Sequence, residues 1–144
     1  EIAEFAASNN SYVQINQQNE NGGSQATTDW VATANNGTDT TYYIDLGIAG
    51  SGYNNGSPYN SLGTSLYPND SYLYSQGNYD TPSAAGGNLV IGTATTGKVL
   101  KIIAGGVHEH DIVMSLSEDE INVNRNIIIS SANVSLGNIS NVEI

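Results

Sequence analysis

The last two dozen residues constrain the fold of this chain most. Apolar side chains stand at Ile121, Val123, Ile127 and Ile129, then at Ala132, Val134 and Leu136, then at Ile139, Val142 and Ile144. A spacing of two recurs in each run (121/123 and 127/129, 132/134/136, 142/144), the period of a strand with one buried face. The register slips at Ser130-Ser131 and again at Gly137-Asn138, where the residue types suit turns or kinks. A ribbon polar on one face and aliphatic on the other is marginal alone in water. It needs a partner surface, and the simplest is two more copies of itself. Ile121, Val123, Ile127, Ile129, Val134, Leu136, Ile139, Val142 and Ile144 are therefore the expected trimer-interface residues. Extended, residues 118–144 reach about 90 Å, against roughly 35–40 Å for a compact domain of this length. Such a stretch either folds back as a hairpin or leaves as a stalk of intertwined chains, and the stalk is the expectation.

Upstream, helix signals are nearly absent, because Gly or Asn interrupts every candidate stripe of helical period. Strand signals follow one another at Ser11–Asn16, Asp29–Ala34, Thr40–Ala49, Ser71–Ser75, Asn88–Thr93, Lys98–Ala104 and Asp111–Leu116. Asn35-Asn36-Gly37 reads as a tight turn. Thr40–Ala49 is the clearest strand, with Tyr42, Ile44, Leu46 and Ile48 on one face and Tyr43, Asp45 and Gly47 on the other. Short strands at this spacing predict an all-β fold: an antiparallel β-sandwich, jelly-roll-like, followed by a trimeric β-prism or triple β-helix stalk. The expected organisation is an N-terminal connection over 1–9, the sandwich over 10–117 and the intertwined stalk over 118–144. The chain opens on Glu1 without an initiator Met and is expected to be the ordered part of a longer polypeptide.

Charge narrows the partners. Lys98, Lys101 and Arg125 face 14 acids, for a net charge of −11, so a polyanion such as nucleic acid is repelled. No apolar run approaches the ~18 residues of a membrane helix. There is no cysteine, so disulfide and thiolate chemistry are closed. No Gly-x-Ser-x-Gly elbow or phosphate loop occurs. A glycosidase needs two carboxylates roughly 5–10 Å apart, and the sequence singles out no such pair. The chain is not expected to be an enzyme.

Three constellations carry binding chemistry. Tyr53, Tyr59, Tyr67, Tyr72, Tyr74 and Tyr79 lie in a loop-rich region with many Asn and Ser, where aromatic faces and amide donors suit a glycan or other receptor surface. The competing reading places them on the sandwich edge and the subunit interface. His108-Glu109-His110 puts two imidazoles on one side if the segment is a strand. In a threefold fibre that gathers six nitrogens for a transition-metal ion; otherwise the pair is solvated loop after Gly105-Gly106. Glu118-Asp119-Glu120 is either a cation site or a solvated turn, and it lacks the spacing of a calcium loop. Trp30 reads as a core or interface anchor.

Gln25–Tyr53 (QATTDWVATANNGTDTTYYIDLGIAGSGY), Asn69–Tyr74 (NDSYLY), Gly87–Thr95 (GNLVIGTAT) and Lys101–Gly106 (KIIAGG) resemble segments of tail-fibre and other virion proteins of tailed bacteriophages, marine ones above all. The closing Asn133–Ile144 (NVSLGNISNVEI) is similar to the β-prism repeats of such fibres. The resemblance implies a trimeric, non-enzymatic, extracellular fibre module on a virion, with other fibre or baseplate proteins and a host-surface glycan as partners. It also implies that His-x-His pairs can hold iron in such fibres, which bears on His108 and His110. The alternatives are a bacterial adhesin or extracellular filament subunit, and a fragment of a polysaccharide-cleaving tailspike.

Overall fold

The computed structural model describes residues 2–54, 56, 64–78, 81 and 85–128. Among these residues it is all-β apart from one 3-10 turn, with two small antiparallel sheets. The chain divides into two compact units, Glu1–Leu89 and Val90–Ile144, with one sheet in each. This division falls inside the segment 10–117 expected to form one sandwich.

The first sheet is a meander of β1 (Thr27–Thr38), β2 (Thr41–Ala49) and β3 (Ser71–Gln76), with β2 in the centre. The β1–β2 hairpin closes at Asp39-Thr40, because Thr38 pairs with Thr41. The Thr38 hydroxyl binds the Thr40 amide at 3.2 Å and shares a hydrogen bond with the Thr41 hydroxyl at 3.0 Å. The turn expected at Asn35-Asn36-Gly37 is therefore displaced. Those residues belong to a bulge in β1, where the pairing jumps from Thr33–Tyr43 to Thr38–Thr41. Opposite the bulge, Tyr42 adopts φ 53°, a conformation that bulky residues seldom take. Gly37 fits here because a Cβ would stand 2.8 Å from the carbonyl oxygens of both Thr41 and Tyr42.

Two expected strands are corrected. Ser11–Asn16 and Asn88–Thr93 are not strands. Alternation at Tyr12, Val13 and Ile15 creates no ladder without a neighbour to pair with. Asn88–Thr93 follows Gly86 and Gly87, both at positive φ (97° and 84°) and so outside the strand region. The segment after Asn16 instead lies along the outer edge of β1 through side chains. Asn19 Nδ2 donates to the Thr27 carbonyl at 2.9 Å, and Gln17 Nε2 donates to the Asp29 carbonyl at 3.3 Å.

The second sheet is a meander of β4 (Leu100–Ile103), β5 (Ile112–Leu116) and β6 (Ile121–Val123). Ser117 closes the β5–β6 turn, its hydroxyl accepting from the Asp119 and Glu120 amides at 3.3 and 3.1 Å. Residues 121–123, the start of the expected stalk, thus pair with β5. The remaining stalk positions from Ile129 on, including Val134, Leu136, Ile139, Val142 and Ile144, lie outside the described residues.

Cross-strand partners share a face of a sheet, and this fixes what each sheet presents. On the first sheet one face carries Thr28, Trp30, Ala32, Ile44, Leu46, Ile48, Ser71, Leu73 and Ser75, without a single charge. On the second, one face carries Leu100, Ile102, Met114, Leu116, Ile121 and Val123, and the other carries Lys101, Ser115 and Asn122. Among the described residues no side chain of either aliphatic face is buried. Trp30 is 55% exposed, Leu46 54% and Ile121 68%. Among the described residues the only buried apolar side chains are Ala49 and Tyr53, joined by the polar Asp45. Trp30 is therefore a surface anchor, not a core residue.

Candidate functional site

The opposite face of the first sheet gathers chemistry. Pairing sets three rows across β1, β2 and β3: Asp29–Gly47–Tyr72, then Val31–Asp45–Tyr74, then Thr33–Tyr43–Gln76. Gly47 is the reason the first row closes. A Cβ there would collide with the Tyr72 hydroxyl and with Asp29 Oδ1, so its absence lets ring and carboxylate meet above the sheet. Asp29 is fixed from behind by the Thr27 hydroxyl, which donates to its Oδ2 at 2.6 Å.

In the second and third rows the Tyr74 hydroxyl donates to Asp45 Oδ2 at 3.3 Å and lies 3.3 Å from the Tyr43 hydroxyl. The Tyr43 and Tyr74 rings meet edge to face with centroids 6.1 Å apart, and Tyr72 lies tilted against Tyr74 at 6.0 Å. Together these residues line a cleft of about 380 Å³, with Asp39 at its turn end. Asp45 is 7% exposed. Burial, and next the negative charge of Asp29, push its carboxyl above the ordinary 3.8, while the Tyr74 hydroxyl acts the other way. The Tyr74 hydroxyl is itself held far above its usual range, chiefly by burial and then by Tyr43.

A pH dependence follows. The folded chain holds the Asp45 proton more tightly than the unfolded chain, so folding is favoured as pH falls through the raised pKa toward 3.8, and that advantage is lost above it. Asp45→Asn keeps the acceptor for Tyr74 and removes the charge. We expect it to stabilise the chain by about 1 kcal/mol at neutral pH and to flatten the rise in stability between neutral and mildly acid pH. Chemical denaturation of both proteins across that range checks this; an unchanged pH profile would show that Asp45 titrates normally.

The sequence candidates separate. Tyr72 and Tyr74 meet in the cleft. Tyr53 is buried near Ala49 and cannot offer a ring face, so it is corrected from binding to core. Tyr67 is an exposed loop residue whose amide binds Asp70 Oδ2 at 2.8 Å. Tyr59 and Tyr79 lie outside the described residues. The cleft residues that sequence reasoning missed are Asp29, Tyr43 and Asp45, although the alternation Tyr43-x-Asp45-x-Gly47 had already placed three positions on one face.

The histidines are not on a strand, which leaves the alternative reading of a loop after Gly105-Gly106. His108 caps the start of a 3-10 turn, Glu109–Asp111, and His110 lies within it, because the Asp111 carboxylate accepts the His108 amide at 2.9 Å and folds the segment back. Their rings stack with centroids 5.6 Å apart, and His110 Nε2 lies 3.5 Å from Asp111 Oδ1. Among the described residues no group of three or more His, Cys, Asp or Glu is placed to hold a metal ion. Glu118 and Glu120 serve the second sheet: Glu118 Oε1 accepts the Gly97 amide at 3.2 Å, and Glu120 Oε1 accepts from Asn122. Ile127, like Ile121, is exposed. No helix of the described residues is long and apolar enough to cross a membrane. The chain matches no protein-family model, no curated protein and no solved structure.

Proposed function

We propose that the chain is a non-catalytic structural module of a trimeric, extracellular phage tail fibre, and that it contributes to recognition of a host-surface glycan. The observation that supports this reading is the pair of uncovered aliphatic sheet faces. A three-stranded sheet with one apolar face in water is marginal, and burying each large aliphatic side chain contributes roughly 1.5–3 kcal/mol. Two such faces in one short chain call for cover, and the absence of charge from the first makes it compatible with a second copy despite a net charge of −11. In this reading neighbouring copies complete the sandwich, the stalk expected over 118–144 extends the same interface, and the fibre joins other fibre or baseplate proteins. His108 and His110 would approach their counterparts only in such an assembly.

The native mass of the undenatured protein, by sedimentation or light scattering, tests this. Three copies of the 15.1 kDa chain are expected. A stable monomer would sink the fibre reading, and an open-ended ladder of masses would favour a filament or adhesin subunit.

A further inference from the structure

Three oxygens in the cleft of the first sheet are buried and have no hydrogen-bond partner in the protein: Asp29 Oδ1, Asp45 Oδ1 and Tyr72 Oη. A buried carboxylate oxygen without a donor is among the costliest of such groups. Two of the three belong to neighbouring carboxylates, and Asp45, at 7% exposure, is almost wholly withdrawn from water. The unit Glu1–Leu89 contains no Lys, Arg or His with which to neutralise them.

The chemistry of the missing partner can be narrowed. A hard divalent cation takes six to eight oxygens. Here Asp29 Oδ2 and Asp45 Oδ2 are already committed to the Thr27 and Tyr74 hydroxyls, which leaves the three unpartnered atoms. An alkylammonium group carries three N–H donors and one positive charge, matching three acceptors and an unbalanced pair of carboxylates. The rings of Tyr43, Tyr72 and Tyr74 border the same cleft, and aromatic faces attract cations. About 380 Å³ lies in the range of small-ligand pockets.

We propose that this cleft binds a primary ammonium group, R–NH3+, seated on Asp29 Oδ1, Asp45 Oδ1 and Tyr72 Oη and walled by the three tyrosine rings. The proposal deepens the recognition half of the proposed function, on which it rests, and makes no use of the fibre half. An amino sugar with a free amine and a lysine side chain share this chemistry. The site discriminates against acidic sugars, whose carboxylates would meet Asp29, Asp39 and Asp45.

The test is a titration of the intact chain at low salt and about pH 6, where amines are protonated, followed by NMR of the tyrosine ring signals. The probes are glucosamine, N-acetylglucosamine, Nα-acetyl-lysine amide and calcium chloride. Both amines are expected to bind. N-acetylglucosamine, which keeps the ring and loses the charge, is expected to bind at least tenfold more weakly. Asp45→Asn should weaken amine binding at least tenfold while its thermal melt shows the fold intact. Tighter binding of glucosamine identifies a sugar ligand, and tighter binding of the lysine derivative a protein one. Equal binding of the N-acetylated sugar, no binding of either amine, undiminished binding by Asp45→Asn, or displacement of the amine by equimolar calcium would overturn the proposal. Native mass on the same sample keeps the two readings apart, since a trimer indifferent to amines sinks the cleft alone and a monomer that binds them sinks the fibre alone.

Discussion

In the proposed trimer, replacing Leu46 by Asp is expected to release monomers while leaving the chain folded. Leu46 sits at the centre of the uncharged face, between Trp30 on β1 and Leu73 on β3. It is half exposed in the single chain, so the monomer loses little by the change, about 1 kcal/mol through strand preference and lost packing. The assembly loses far more, because every copy would bring a carboxylate into an apolar contact at a cost of several kcal/mol each. Sedimentation should therefore show the single-chain mass at concentrations where the parent protein is associated. Circular dichroism of the same sample should still report β structure. If the variant sediments like the parent, this face is not the interface, and Leu116→Asp on the second sheet becomes the informative variant.

The second large effect is expected at Gly47. In an ordinary strand, Gly→Ala gains about 0.5–1 kcal/mol by removing backbone freedom from the unfolded chain. Here the added methyl would overlap the Tyr72 hydroxyl and Asp29 Oδ1. Ring and carboxylate must move apart, and we expect a loss of about 1–3 kcal/mol, as for overpacking generally, together with loss of ammonium binding. Denaturant unfolding and the amine titration read the two consequences separately. A stabilised Gly47→Ala would mean that Tyr72 swings aside freely, and the cleft would then be no preformed site.

The sequence made the strands around Gly47 easy to find and their roles hard to assign. Thr40–Ala49 was legible because Ile44, Leu46 and Ile48 alternate with residues of another kind, and Ser71–Ser75 repeats the pattern with Tyr72 and Tyr74. Alternation states which residues share a face; it does not say which face is covered. The side that is most apolar is the open one in this chain, and the side with Tyr43, Asp45 and Gly47 holds the most withdrawn carboxylate. Asp29 and Tyr72 could not be joined from sequence, since their meeting depends on the register that sets both opposite Gly47. Asn35-Asn36-Gly37 misled for a related reason. A glycine that turns a chain and a glycine that relieves a bulge look alike in one dimension, and the threonines around Asp39 outcompeted it by hydrogen-bonding the true turn. For His108 and His110 the sequence left strand and loop both open, and one carboxylate three residues on from His108 decides between them by folding the segment into a 3-10 turn.

The amides of Gln17 and Asn19 along β1 carry a consequence of their own. Sheet margins invite recruitment of further strands without limit, which is how soluble proteins become cross-β deposits. Here two carbonyls at the start of β1 are occupied by side chains of the same molecule. Growth by strand addition meets a filled margin there, whereas the flat sides stay available. Contacts through flat sides related by rotation saturate at a fixed number of copies. In the proposed trimer, association would therefore run through the flat sides and stop at a fixed number of copies, with the start of β1 closed to strand addition.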